Sequence, residues 1–215
     1  MNTNLLQSAA KGEDIRNRLI EAAGQVFAEV GYEAATVRQI TDRAQANIAA
    51  VNYYFGDKLQ LYRTVLETVT SGAVALIRQQ CAEGAAEKRL RSFVQCILKA
   101  ESSKEYAWAR LLMAREVAEL HNAQVGMIVE AIRPMHEIAE SIMAELMGKR
   151  SGTRVTRFAA SLVISLCFNH IPQQRLDQKL YASAGFKEIS LEETIEHLSR
   201  FVLAGIRGLS NTGSS

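Results

Sequence analysis

Proline is nearly missing from this sequence, with two in 215 residues. No alternating strand pattern stands out, alanine and leucine are plentiful, and the chain reads as almost entirely α-helical. An excess of one charge is missing too. Lysine and arginine number 25 against 23 aspartates and glutamates, so the overall field does not by itself announce a nucleic-acid partner. The three cysteines, Cys81, Cys96 and Cys167, lack metal-ligand spacing and cannot all pair within one chain. Buried thiols in a reducing cytoplasm are the plain reading, and a redox switch is the alternative. His121, His136, His170 and His197 show no metal spacing. No constellation resembles a catalytic arrangement, so the sequence supports no cofactor, no metal and no enzymatic role.

Targeting signals are absent as well. The N-terminus, MNTNLLQSAAKGED, has neither an apolar core nor a basic start, which argues against a signal peptide. The longest apolar run, Phe158 to Phe168, is too short to span a bilayer. The expected location is cytoplasmic, away from any membrane. No repeat or low-complexity segment occurs.

What is present concentrates in residues 36–58, TVRQITDRAQANIAAVNYYFGDK. Thr36 followed by Gln39 is a capping box that opens a helix at Val37. Val37, Ile40 and Ala44 recur at i, i+3, i+7 as one buried stripe. Asn47 is the next N-cap, and Ile48, Val51 and Phe55 are expected to seat the second helix in the core. Asp57 with Gln60 caps a third, longer helix whose first residue is Lys58. Helix, turn at Gln45–Asn47, helix is helix-turn-helix geometry. Ahead of it, Ile15, Leu19, Ala22, Ala23, Val26, Phe27 and Val30 form the apolar stripe of a platform helix over Asp14–Val30, which Gly31 terminates.

A recognition helix reads base edges with its N-terminal residues. The outer face of the second helix carries Ala49, Ala50, Asn52 and Tyr53, beside Ile48. The alanines permit close approach and can touch thymine methyls, and Asn52 can bond a base edge or a phosphate. Arg38 is the residue best able to make a bidentate contact to guanine. Asn47 serves first as a cap and second as a base reader. Thr36, Tyr53, Tyr54 and Lys58 suit phosphate contacts, and Lys58 adds charge to the amides of a helix N-terminus. Tyr53, Tyr54 and Phe55 also have a core reading, strongest for Phe55. Arg16 and Arg18 on the platform helix read as solvated charge or as phosphate contacts.

At these residues the sequence resembles the TetR family of bacterial regulators. The likeness runs from about Ile15 to Leu66 and includes Phe27, Gly31, Tyr32, Thr36 and Ile40, then the Y-F-x-x-K ending at Tyr54, Phe55, Gly56 and Lys58. Two positions depart. Gln45–Ala46 stands where the family usually has Gly–Val, so the turn residue is expected to bear about 1 kcal/mol of left-handed strain. Asn52 stands where tyrosine is common, which favours base reading over a phosphate role. Segments Ala107–Leu120, Val129–Gly148 and Leu191–Leu209 resemble the C-terminal domain of the CerR-like branch of that family.

The expected fold is all-α: an N-terminal three-helix DNA-binding head with a helix-turn-helix, followed by a larger helical ligand-binding and dimerisation domain. The expected division is a disordered arm at 1–10, the head at 11–58, the effector-binding and dimerisation domain at 59–209 and a disordered tail at 210–215. Helices are expected near 58–81, 86–100, 104–120, 123–147, 153–170 and 190–209. Pro134 inside the fourth of these should kink it, which either opens ligand space or merely fits its neighbours.

The last two helices are apolar over a wide arc, through Val155, Phe158, Leu162, Val163, Leu166 and Phe168 on one and Ile195, Leu198, Phe201, Val202, Leu203 and Ile206 on the other. Such arcs need covering, and a homodimer through these two helices is the economical answer. The expected function is a repressor that binds a near-palindromic double-stranded operator as a dimer and is released by a small-molecule effector, apolar or aromatic. Candidate pocket residues are Phe93, Trp108, Met113, Met135, His136 and Phe168, each with a core reading as well. The alternatives are an activator or ligand-independent factor, and a helical carrier or enzyme that keeps the head only for packing.

Overall fold

The computed structural model describes residues 3–103, 107–118, 124–148, 152–184 and 189–211. His121, and residues 1–2 and 212–215 of the two expected disordered ends, lie outside these. Among the described residues the secondary structure is helical throughout: α1 (Thr3–Ala34), α2 (Val37–Ala44), α3 (Ile48–Phe55), α4 (Lys58–Gln80), α5 (Ala86–Ser102), α6 (Ala107–Ala118), α7 (Val125–Met147), α8 (Thr153–Leu180), a short 3-10 turn (Ala182–Ala184) and α9 (Leu191–Asn211). Helix α1 already runs from Thr3, where a disordered arm was expected.

Two compact units emerge, residues 1–71 with 105–131, and 72–104 with 132–215. In the first, the stripe of α1 is the foundation: Leu19, Ala23 and Phe27 have no exposed surface. Gly31, at φ 79° and ψ 168°, interrupts the helix there, a backbone conformation that glycine adopts without penalty. Beyond it, Tyr32 packs on Tyr62 with ring centroids 4.9 Å apart, and Phe27 meets the same ring edge-on at 5.1 Å.

The first unit extends past the 11–58 head expected from sequence. Helix α6 lies along α1: Leu112 is fully buried, and Arg115 donates to the Glu29 carbonyl at 3.2 Å. Ile128, at the start of α7, is fully buried in the same core. The apolar arc of α1 is wider than α2 and α3 cover, and α6 takes the remainder.

The second unit is built on Phe93, Val94 and Leu98 of α5, Ile142 and Met143 of α7, Val163 and Cys167 of α8, and Ile195 and Val202 of α9. Burial pushes the Cys167 thiol up to about 12 and that of Cys81 to about 11, and raises Cys96 in the same way. Ion pairs rim this core: Arg91 reaches Glu192 and Glu196, and Arg157 pairs with Glu140 at 3.1 Å. Helix α7 continues on both sides of Pro134. Helix α8 passes through Pro172 and ends at Leu180, ten residues beyond the expected 170. The Gln173 amide bonding Asp177 at 2.8 Å supports that added length.

Candidate nucleic-acid interface

Each cap read from the sequence is in place. The Thr36 hydroxyl accepts from the Gln39 amide at 3.2 Å, and the Gln39 side chain accepts from the Thr36 amide at 2.9 Å, which completes the capping box. Asn47 Oδ1 accepts from the Ala49 amide at 2.9 Å. Asp57 Oδ1 accepts from the Gln60 amide at 2.8 Å. Between α2 and α3, Gln45 adopts the left-handed conformation, φ 51° and ψ 45°. Among the described residues no other non-glycine residue has a positive φ. The strain expected at the departure from glycine is therefore real.

Helix α3 is anchored by Val51, which is fully buried, and by Phe55. Ile48, expected to share that stripe, is 51% exposed. A helix only eight residues long seats two turns of side chains in the core, and its first residue lies beyond the platform's reach. Ile48, Ala49, Asn52 and Tyr53 thus form a continuous outer face, with Tyr53 82% exposed. Ala50 and Tyr54 are half-buried at its edge. The Tyr54 hydroxyl lies so near Gly12 that a Cβ there would stand 3.2 Å from it, so Tyr54 spans from α3 to α1.

Thr36 and Arg38 lie exposed at the start of α2. Arg38 is held only loosely, 3.9 Å from Asp42 one turn on. Four other cations of the head, Arg16, Arg18, Arg43 and Lys58, are committed internally. Arg43 makes a two-pronged contact with Glu29, both distances 2.7 Å, which lowers the Glu29 carboxyl and raises the Arg43 guanidinium from their ordinary pKa values. Arg18 donates to the Ala44 carbonyl at 3.2 Å and pairs with Asp14 at 3.1 Å. Arg16 stacks 5.6 Å over the Phe55 ring. The Lys58 ammonium donates to the carbonyls of Tyr32 at 2.9 Å and Ala35 at 3.0 Å, and lies 4.3 Å from the Tyr32 ring centroid. The sequence offered Lys58 as a phosphate ligand; the structure turns its ammonium inward.

The six effector candidates are dispersed. Trp108 and Met113 pack half-buried against the core of the first unit. In the second unit Phe93 is fully buried in the core, Met135 and His136 are half-buried, and Phe168 is exposed. A cleft of about 320 Å³ opens instead between the ends of α5, α8 and α9, where Glu101, His170, Gln174, Arg175, Gln178 and Thr194 contribute to its lining. None of the six candidates lines it.

A capped helix-turn-helix on a three-helix head, followed in the chain by an all-helical body, is the architecture of a helix-turn-helix transcriptional regulator. Residues 19–65 match the bacterial regulatory proteins of the tetR family, and residues 86–206 match the C-terminal domain described for the HTH-type transcriptional dual regulator CecR. The chain belongs to the TetR family, a family of regulators and not of enzymes. Its body, expected as CerR-like, is of the CecR kind.

The dual regulator CecR of Shigella flexneri is 50% identical over 52 residues, 24% of this chain and 23% of that protein. The transcriptional activator FasR of Mycolicibacterium smegmatis is 36% identical over 67 residues, 31% of each chain. The match thus spans less than a third of either relative's length. Among solved structures, the fatty acid degradation regulator FadR from Bacillus halodurans shares the fold, with a TM-score of 0.64 and 20% identity over 88% of this chain and 98% of that one.

Proposed function

We propose that this protein is an operator-binding dimer that inserts the N-terminal end of α3 into the major groove. The observation that carries this reading is the outer face Ile48, Ala49, Asn52 and Tyr53, small and polar at its centre and left uncovered beside Thr36 and Arg38. Asn47 stands at the tip as cap and second reader. Arg38 suits guanine through its two parallel donors, Asn52 suits a base edge, and the alanines admit thymine methyls. Thr36, Tyr53, Tyr54 and Ala50 flank the backbone.

The dimer reading rests on α8. Val155, Phe158, Leu162 and Leu166 recur along one face and remain exposed, Phe158 to 56%. Length and composition alone would also let α8 cross a membrane, but a third of that stretch is already buried, and a second copy covers the remaining stripe more economically. The contribution of α9 is narrower than its sequence suggests. Ile195, Val202 and Ile206 are spent in the core, and Phe201, 67% exposed, is left to reach outward. A cytoplasmic dimer acting as a repressor, released by a small-molecule effector, completes the proposal. Relatives named as dual regulator and activator leave activation as the alternative sign. The polar lining of the cleft between α5, α8 and α9 favours a hydrogen-bonding effector over the apolar one first expected.

Selection of bound fragments from random duplex DNA tests this reading. It predicts an inverted repeat whose half-sites lie about one helical turn or a multiple apart. Recovery of no common sequence contradicts it.

A further inference from the structure

The cleft at the ends of α5, α8 and α9 owes one wall to the part of α8 around and beyond Pro172. His170, Gln174 and Gln178 recur there every fourth residue with Arg175 beside them, so one face of the helix turns all four toward about 320 Å³ of space. The Gln174 amide donates to the Ile189 carbonyl at 3.2 Å and ties this wall to the segment before α9. The other walls carry Glu101, in the last turn of α5, and Thr194, in the first turn of α9.

Three features mark a ligand site and not a gap in packing. Thr194 is 6% exposed, and its buried hydroxyl oxygen has no hydrogen-bond partner. Elsewhere in these helices such hydroxyls bond a carbonyl one turn back, as Ser199 does to Ile195 at 2.6 Å and Thr156 to Gly152 at 3.3 Å. A buried orphan of this kind is costly and calls for an explanation. The side chains of Arg175 and Gln178 make no hydrogen bond or ion pair among the described residues. Glu101, 9% exposed, brings a carboxylate to the same cleft, and the several lone pairs of that group can accept more than one donor.

The charges select the ligand's class. A carboxylate and a guanidinium share the lining, while burial lowers the pKa of His170 below its ordinary 6.5, partly opposed by Asp177, and leaves the imidazole neutral near pH 7. A simple anion is opposed by Glu101 and a simple cation by Arg175, so each is disfavoured by one of the two. A molecule that carries both an ammonium and a carboxylate satisfies both.

We infer that the cleft binds a zwitterion of the amino-acid type, with its ammonium on Glu101, its carboxylate on Arg175 and Gln178, and the Thr194 hydroxyl as a further partner. The inference rests on the effector reading above, whose ligand it names by class.

The test is isothermal titration calorimetry on the full chain without DNA. The probes are the common L-amino acids, each compared with its N-acetyl derivative, which lacks the ammonium, and its amide, which lacks the carboxylate. The expected result is a Kd of about 0.1 mM or tighter for at least one of them, with both derivatives at least about tenfold weaker. Arg175→Met should weaken the free amino acid at least about tenfold without weakening its amide. Glu101→Gln should do the same without weakening the N-acetyl derivative. Arg175 is exposed and commits its side chain to no other described residue, so the first variant decides the matter even if the second fails to fold. Lys179→Met, exposed on α8 outside the cleft, should bind as the wild type does. Binding of no amino acid, derivatives as tight as their parent, or full affinity in Arg175→Met overturns the inference. Operator affinity with and without the amino acid separates the two readings. An amino acid that binds as expected and leaves the operator held retains the site and refutes the effector reading. Release of the operator by another small molecule, with no amino acid bound, refutes the site alone.

Discussion

Trp108 of α6 lies directly on Gly24 of α1, so closely that a Cβ added to Gly24 would stand 2.1 Å from the indole Cζ3 and 2.5 Å from two further ring atoms. A side chain at Gly24 is therefore excluded while the ring stays where it is. Gly24→Ala should destabilise the first unit by about 1–3 kcal/mol, the usual cost of overpacking. Trp108 is the only tryptophan in the chain, so its emission reports the contact directly, and equilibrium denaturation followed by fluorescence measures the loss. Combined with Trp108→Leu, the glycine substitution should become much cheaper, because the two residues are in contact and their effects do not add.

Gln45 is the second exception built into the head. A left-handed residue with a Cβ costs about 1–2 kcal/mol, and glycine returns about 0.5–1 kcal/mol of that through its greater freedom in the unfolded chain. Gln45→Gly should thus raise stability by about 0.5–1 kcal/mol. Urea denaturation checks this, with the midpoint expected to rise and the slope to stay constant.

How far the sequence revealed the molecule follows from the range of each interaction. The caps at Thr36, Asn47 and Asp57 are local, each decided within three residues, and so is the left-handed turn at Gln45. Pairing of distant partners was not legible. Lys58 reads as a surface charge at a helix start until the carbonyls of Tyr32 and Ala35 arrive from 26 and 23 residues away. Gly24 inside an otherwise good helix was the one available sign of close packing, but nothing in the sequence named Trp108 as its neighbour. Helix α8 runs on through Pro172 to Leu180, past the end expected near 170. The wide apolar arc of α9 looked like an interface, yet most of it serves the core. Dispersal of the six effector candidates has the same origin: methionine and aromatic residues at helical spacing are usually packing residues.

Among the described residues, two half-buried histidines give the stability a pH dependence of known sign. Burial lowers the folded-state pKa of His136 and of His170 below the ordinary 6.5, with Asp177 partly opposing this at His170. The unfolded chain then binds more protons just below that value, so stability is complete above about pH 6.5 and falls as the pH drops through the window beneath it. Glu29 and Glu193, both lowered by their hydrogen bonds, add a further loss at more acid pH. Melting temperature should decline between about pH 7 and 5. His136→Gln with His170→Gln should flatten that decline while the loss at lower pH remains.

Arg38 separates base reading from phosphate contact. If its guanidinium reads guanine, Arg38→Ala should cost about 1–3 kcal/mol at one base pair of each half-site and relax preference there. Competition binding with single-base operator variants measures this. Uniform weakening across all of them would assign Arg38 to the backbone instead.

The central claim is that two chains, joined through α8, place the amino ends of their α3 helices in successive major grooves of one duplex. Its most direct measurement combines the mass of the protein–operator complex in solution with methylation interference at guanine N7, an atom exposed only in the major groove. The account predicts two or a multiple of two chains per operator and interference at symmetric positions in both half-sites. A monomeric complex, or binding indifferent to N7 methylation at every guanine of a guanine-containing operator, would contradict it.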